Sequence, residues 1–251
     1  MRKKMIDGRF SCDSNVGRVR LINEDAAKVI VNSNGNILMM VADGMGGHKK
    51  GEFASNETIK IIEEKFLNVK KFLNIYQAAA WLGRTMKVVN SAIYKKQTTN
   101  AEYAGMGTTL TLVLLFNSKM AVLNMGDSRA YIIKDNKLVQ LTEDQTYVNY
   151  LLKCGEISRD QALIHPERHV LTNAVGMFPS VSYELKIYQY NNNKVLLCSD
   201  GLYNFVNFSD IENILLQKNG PEDKCTSLIG LANHNGGEDN ITVAIWEPTN
   251  D

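Results

Sequence analysis

Four aspartates in this 251-residue sequence stand at the same kind of place, the boundary between a β-forming run and a turn. Asp43 follows the apolar run Ile37 to Ala42 and precedes Gly44, and Asp200 follows Val195 to Ser199 and precedes Gly201. Asp127 comes after a run ending at Met125 and Gly126, while Asp239 lies just ahead of the last run, Ile241 to Trp246. Aspartate beside glycine is ordinary turn chemistry, and it explains any one of these sites. It does not explain the group, because turns beside buried strands have no need to be acidic every time. Carboxylates that share a site raise one another's pKa unless a cation neutralises them, so a shared site implies metal.

The donor set then selects the ion. No His or Cys stands at ligand spacing, and oxygen donors alone suit Mg²⁺ or Mn²⁺ rather than zinc. Gly44, lacking a side chain, lets its backbone carbonyl approach a metal, and the pair Glu24-Asp25 offers further carboxylates, direct or through water. Two such ions about 3.5–4 Å apart can convert a shared water into a hydroxide for in-line attack on phosphorus. Arg20, five residues before Asp25, supplies a planar, permanently charged fork that matches phosphate oxygens. The chemistry implied is hydrolysis of a phosphate ester without a covalent intermediate.

Other arrangements invite different readings and fail. The loop Gly44-Met45-Gly46-Gly47-His48-Lys49-Lys50-Gly51 lacks the Gly-Lys-Ser/Thr order of a nucleotide-binding loop. His165 and His169 have the spacing of a zinc pair, but Pro166 would be awkward in the helix such a pair requires. Ser199 lacks the flanking glycines of a nucleophile elbow.

The elements that must position these residues follow from periodicity. Runs Arg9 to Asp13, Ala26 to Val31 and Asn36 to Val41 read as strands, the last two joined in a hairpin by Asn32-Ser33-Asn34-Gly35. Two amphipathic helices follow, one with Ile59, Ile62 and Phe66 on its apolar face, the other with Ile75, Ala78, Leu82, Met86, Val89 and Ile93. Runs Thr108 to Phe116, Met120 to Met125, Ala130 to Ile133 and Lys137 to Leu141 are expected to form one antiparallel meander. The polar stretch Thr142 to Asn173 reads as an excursion from the core. Strands at Ser182 to Tyr188 and Lys194 to Cys198 precede a helix with Ser209 and Glu212 as a capping box, a second helix near Pro221, and the final strand. About ten strands with helices inserted in pairs predict an α+β fold, a four-layer α-β-β-α sandwich of two stacked antiparallel sheets flanked by helices. No linker or repeat divides the chain, so a single domain over 1–251 is expected.

Composition narrows the class. Apolar residues make up 44% and charged residues 22%, enough for a substantial core, and the formal net charge of +1 gives no basic field for nucleic acid. Cys12, Cys154, Cys198 and Cys225 form no CxxC pair and are expected to be reduced and mostly buried. The basic start Met1-Arg2-Lys3-Lys4 leads into polar residues rather than a signal peptide's apolar stretch, and no run approaches the roughly 20 residues that span a bilayer. A cytoplasmic monomer without a membrane anchor is expected.

The segments Arg20-Leu21-Ile22-Asn23-Glu24-Asp25, Val41-Ala42-Asp43-Gly44-Met45-Gly46-Gly47-His48, Gly107-Thr108-Thr109, Gly126-Asp127-Ser128-Arg129, Ser199-Asp200-Gly201 and Gly237-Glu238-Asp239-Asn240 occur in that order. Together they resemble the PPM-type (type 2C) protein phosphatases, and most of all the compact bacterial members that oppose eukaryotic-like serine/threonine kinases. The resemblance spans nearly the whole chain. It implies hydrolysis of phosphoserine and phosphothreonine in proteins, with Asp43 bridging two Mn²⁺ or Mg²⁺ ions, Gly44 binding one through its carbonyl, and Asp200 and Asp239 completing the pair. Asp127 matches a ligand of a third, weaker ion, Arg20 matches the phosphate-binding arginine, and residues 142–173 match the variable flap beside the active site.

Two positions depart from the family pattern. Met45 stands where many members carry a histidine that protonates the leaving oxygen, which leaves His48 or a metal-bound water as general acid. Gln145 stands where relatives often have histidine. The rival reading, a catalytically silent domain that keeps the fold to bind a partner, predicts a missing carboxylate. All of them are present, with Arg20.

Overall fold

The computed structural model describes residues 6–47 and 49–249. Strand β3 (Ile37–Met45) shows how the sandwich is built. Its run is apolar at every position because both faces are buried. Leu38, Met40 and Ala42 face one cluster with the helices, whereas Ile37, Met39 and Val41 face another between the sheets. Its neighbour β2 (Asp25–Val31) pairs with it antiparallel from Val31↔Ile37 to Asp25↔Asp43, so the expected hairpin forms.

One sheet holds β2, β3, β5 (Leu110–Phe116), β6 (Lys119–Met125) and β9 (Glu184–Gln189) in that order, with the two-residue β4 (Gly107–Thr108) paired to β3. Its outer face is covered by α1 (Lys49–Leu67) and α2 (Ile75–Thr99), through Ile59, Ile62 and Phe66 from the first and Leu82, Met86, Val89 and Ile93 from the second. The other sheet runs β1 (Gly8–Asn15), β11 (Ile241–Pro248), β10 (Val195–Cys198), β7 (Arg129–Lys134), β8 (Lys137–Gln140). Four short or medium helices follow along the chain: α3 (Tyr147–Cys154), α4 (Arg159–Leu163), α5 (Asp200–Tyr203) and α6 (Phe208–Leu216). Leu202, Ile211, Leu215 and, from α7 (Pro221–His234), Cys225, Leu228 and Ala232 cover the outer face of the second sheet. Between the sheets lie Met39, Val41, Val113 and Val122 against Ile132, Leu197, Ala244 and Trp246. These are the four layers expected, and a helix–sheet, sheet–sheet, sheet–helix stack buries three apolar interfaces.

Several details differ from the sequence reading. The meander is split: β5 and β6 belong to one sheet and β7 and β8 to the other, and the chain changes sheets at Gly126-Asp127-Ser128. Gly126 permits this with φ +97°, and a Cβ there would lie 2.6 Å from Thr109 Cγ2. The capping box at Ser209 does not form. Asn207 caps α6 by accepting from the Asp210 amide, Ser209 donates to Asn207 Oδ1, and Glu212 instead accepts from the Leu138 amide and Lys137. Asparagine is as good an N-cap as serine, so the helix starts two residues earlier. Only Cys198 and Cys225 are buried; Cys12 lies on edge strand β1 and Cys154 at the end of α3, both exposed. Residues 142–173 are less detached than their polarity implied, since Thr142, Thr146, Val148, Leu151 and Ala162 are buried. No helix among the described residues is long and apolar enough to cross a membrane.

Candidate active site

Strand alternation places the acidic residues. Asp43 shares the parity of Met39 and Val41, so it points toward the space between the sheets, and the register sets Asp25 directly opposite on the same face. From the second sheet, Ser199 at the end of β10 donates to Asp25 Oδ2 at 2.7 Å, and Asp200 follows as the first residue of α5. Asp127 arrives on the sheet-changing turn, and Asp239 on the loop entering β11. Residues separated by as many as 214 positions along the chain therefore meet at one end of the sandwich.

The motif residues without charge fix the backbone of those that have it. The Asp43 amide donates to Thr109 Oγ1 at 2.9 Å, and the Asp43 carbonyl accepts from the Thr109 amide at 2.8 Å and from Thr108 Oγ1 at 2.9 Å. The Thr109 and Ser128 hydroxyls are 2.8 Å apart, joining the Asp43 strand to the Asp127 turn. Asn240 clips the Arg20 loop by accepting from the Glu24 amide at 2.8 Å and donating to the Val16 and Ile22 carbonyls at 2.9 and 3.0 Å. Arg129 forks onto Asp144, with Nε to Oδ1 at 2.9 Å and Nη2 to Oδ2 at 2.6 Å, and lies 3.4 Å above the Tyr203 ring. Tyr203 in turn donates to the Asp127 carbonyl at 3.1 Å. Nothing local in the sequence marks Thr109, Ser128, Arg129 or Asn240 for these roles, because their partners lie far away along the chain.

The electrostatics are those of like charges held together. Burial and then its acidic neighbours Asp25, Asp200, Asp127 and Asp239 push Asp43 well above the usual carboxylate range. Burial raises Asp25 to about 7, with Asp200 and Asp239 adding to it. Asp127 rises to about 8 through burial, then Asp200 and Asp144; Asp200 rises to about 6 through burial, then Asp239. The Glu24 carboxylate faces the first turn of α1, where a Cβ on Gly51 would lie 2.3 Å from Oε1, while its carbonyl accepts from the Gly44 amide at 3.1 Å.

The arrangement fits divalent cations. Every donor is oxygen, and Asp200 Oδ1 is buried without a hydrogen-bond partner. A Cβ on Gly44 would lie 2.2 Å from the Gly51 carbonyl oxygen and 2.5 Å from that of Glu24, so only glycine fits beneath the site. The carboxylates surround a common space rather than one point: among the described residues no three acidic, His or Cys side chains form a compact ligand group.

Beside the cluster opens a cleft of about 1070 Å³. Asp127, Asp200 and Asp239 line one side, and Arg20, Arg168 and His169 lie around it. Arg20 is tied to Asp239, Nη2 to Oδ2 at 2.9 Å. Arg168 and His169 escaped the sequence reading, which tested the histidines of that stretch only as zinc ligands. His165 does not join the cleft; its Nδ1 accepts from the Glu167 amide at 3.2 Å. His48 lies outside the described residues.

Two stacked antiparallel sheets with an all-oxygen acidic cluster at one end and an arginine at its edge define a metal-dependent phosphohydrolase. The profile of the family described as Protein phosphatase 2C matches residues 17–223. A serine/threonine phosphatase stp of Listeria monocytogenes is 37% identical over 232 residues, 92% of each chain. The crystal structure of serine/threonine phosphatase Stp1 from Staphylococcus aureus superposes with a TM-score of 0.90 at 34% identity, covering 97% of this chain and 96% of that one. The catalytic domain of the phosphatase PstP in complex with two manganese ions superposes with a TM-score of 0.82 at 30% identity, covering 96% and 98%. The chain belongs to the protein phosphatase 2C family.

Proposed function

We infer that this protein hydrolyses phosphoserine and phosphothreonine esters in phosphoprotein substrates, with two divalent cations held at the acidic end of the sandwich. The observation that carries the reading is the convergence of Asp25, Asp43, Asp127 and Asp200, whose pKa values are raised by burial and then by their acidic neighbours, beside the Arg20–Asp239 pair. Asp43, Asp200, Asp239 and the Gly44 carbonyl would hold the pair of ions, Mn²⁺ or Mg²⁺, and Asp127 a third; when bound, the ions supply an activated water and neutralise the phosphate's charge. Asp25, fixed by Ser199, and Glu24, behind Gly44, would support the site by charge and through water.

Arg20 orients the phosphoryl group. It sits at the cleft edge on a loop clipped by Asn240, and its fork can leave Asp239 for two phosphate oxygens. Residues 142–173 act as a flap that forms one wall of the cleft and excludes water around the bound side chain. The chain works as a single domain and a cytoplasmic monomer, reversing the action of a cognate Ser/Thr kinase.

Release of phosphate from a phosphothreonine peptide, measured with Mn²⁺, with Mg²⁺ and with a chelator, tests this reading. Turnover that needs the ion and vanishes with chelator is expected. Binding of the peptide without turnover under any ion would establish the silent-domain reading instead.

A further inference from the structure

Gln145 has a set of contacts that the phosphatase reading leaves unused. Its backbone amide donates to the Gly126 carbonyl at 2.9 Å, and its side-chain Oε1 accepts from the Gly126 amide at 3.2 Å. The same Oε1 accepts from Asn173 Nδ2 at 2.7 Å, and the Gln145 carbonyl accepts from the Thr172 amide at 2.9 Å and Thr172 Oγ1 at 3.0 Å. Its Nε2 donates to the Asn124 carbonyl at 3.3 Å. One residue thus holds three things at once: the entry to the 146–171 excursion, its exit at Thr172 and Asn173, and the glycine that places Asp127.

Other contacts share in holding the segment. Its two arms meet at the Thr146↔Leu171 bridge, where the Tyr147 amide donates to the Val170 carbonyl at 2.8 Å, its entry is held by the Arg129–Asp144 fork, and Val148, Leu151 and Ala162 are buried, while much of the rest of its length is exposed. A long segment's position depends on the ties at its base, and there the Gln145 side chain joins the exit at Asn173 to the Gly126 turn. Gly126 lies immediately before Asp127 and adopts φ +97°, so a shift of the clasp moves the Asp127 backbone as well.

We propose that Gln145 is a positioning residue: by clasping both ends of the 146–171 segment to the Gly126–Asp127 turn, it sets the height of that wall over the cleft and so the grip on the phosphoprotein. Gln145 reaches the acidic cluster through the Gly126–Asp127 turn rather than through Asp43, Asp200 or Asp239, so its main effect falls on binding, with a smaller one on the chemical step through Asp127. This rests on the phosphatase reading for its kinetic half only.

The test uses the full chain with Gln145→Met, which keeps length and volume but removes every side-chain bond, and Gln145→His, whose ring keeps one acceptor and one donor. In the metal-free protein, hydrogen exchange at Gly126 and across 146–171 should speed up together by about tenfold in Gln145→Met, the loss of one or two net hydrogen bonds, with β5 unchanged. With Mn²⁺ and a phosphothreonine peptide, KM should rise about fivefold with kcat within about twofold, because the wall must then be ordered by the substrate. Gln145→His should recover much of both effects, and Asn173→Ala, which frees only the exit, should show about half the exchange effect. Unchanged exchange in Gln145→Met, faster exchange spread equally into β5, or a Gln145→His no better than Gln145→Met would each overturn the proposal. If the wild-type protein showed no turnover, the phosphatase reading would fail while the exchange result still decided the clasp.

Discussion

Arg20 Nη2 donates to Asp239 Oδ2 at 2.9 Å, so the residue suited to gripping phosphate is held by a carboxylate suited to gripping metal. Both side chains are substantially exposed, and an ion pair in that setting contributes at most about 1 kcal/mol. A cation on Asp239 and a phosphate on Arg20 therefore exchange easily for one another's company.

Arg20→Ala should raise KM for a phosphothreonine peptide by about ten- to a hundredfold, the weight of one charge-assisted contact, with kcat changed far less. Affinity for Mn²⁺, read by calorimetry, should hold or improve, because Asp239 loses a competing partner. A weakened Mn²⁺ site with unchanged KM would show that Arg20 supports the carboxylates instead.

Asp43→Asn and Asp239→Asn should each abolish measurable turnover while leaving the circular dichroism spectrum intact. For Asp43→Asn the metal-free Tm should rise, because a buried group surrounded by four other aspartates is replaced by a neutral amide of the same shape. Retained activity with Mn²⁺ in both variants would remove the metal-pair mechanism.

The acidic cluster also sets a pH dependence. In the unfolded chain aspartate titrates near 3.9, whereas Asp200, Asp25 and Asp127 titrate at about 6, 7 and 8 in the metal-free fold. Over that interval the folded state binds more protons, so the contribution of these groups to stability is present below pH 4 and is lost as pH rises to 8. A cation restores it by stabilising the ionised form. The gain in Tm on adding Mn²⁺, followed by scanning calorimetry, should therefore be much larger at pH 8 than at pH 5; equal gains at both would contradict the shifts.

Two glycines beside the site separate space from conformation. A Cβ on Gly201 would lie 2.0 Å from the Asn240 carbonyl oxygen, so Gly201→Ala must displace α5 or β11 and should cost about 2–3 kcal/mol in chemical denaturation, with loss of activity. Gly47 has open space around it but φ +77°, so Gly47→Ala should cost only about 1 kcal/mol.

How much of this was readable beforehand can be judged from particular residues. The hairpin at Asn32 to Gly35 and the apolar faces of α1 and α2 were legible because turn chemistry and 3.6-residue periodicity are local. The helix start at Asn207 was missed by two residues because Asn207 and Ser209 both make competent caps, and Glu212, which would close a box on Ser209, accepts from the Leu138 amide of β8 instead. The meander was read as one sheet because nothing local distinguishes a turn that stays in a sheet from one that leaves it; Gly126 does both jobs equally well on paper.

By itself the sequence determined which residues carry charge, which runs are apolar, and that aspartates stand at strand ends in an order shared with one enzyme family. The tertiary structure alone decided that Asp25 lies opposite Asp43, that Arg20 reaches Asp239 across 219 positions, and that Gln145 fastens a wall of the cleft. The reason is physical: periodicity encodes which face of an element must be buried, but which two faces meet is settled by the packing of whole sheets, and contacts such as Ser199 to Asp25 and Arg20 to Asp239 cross that packing.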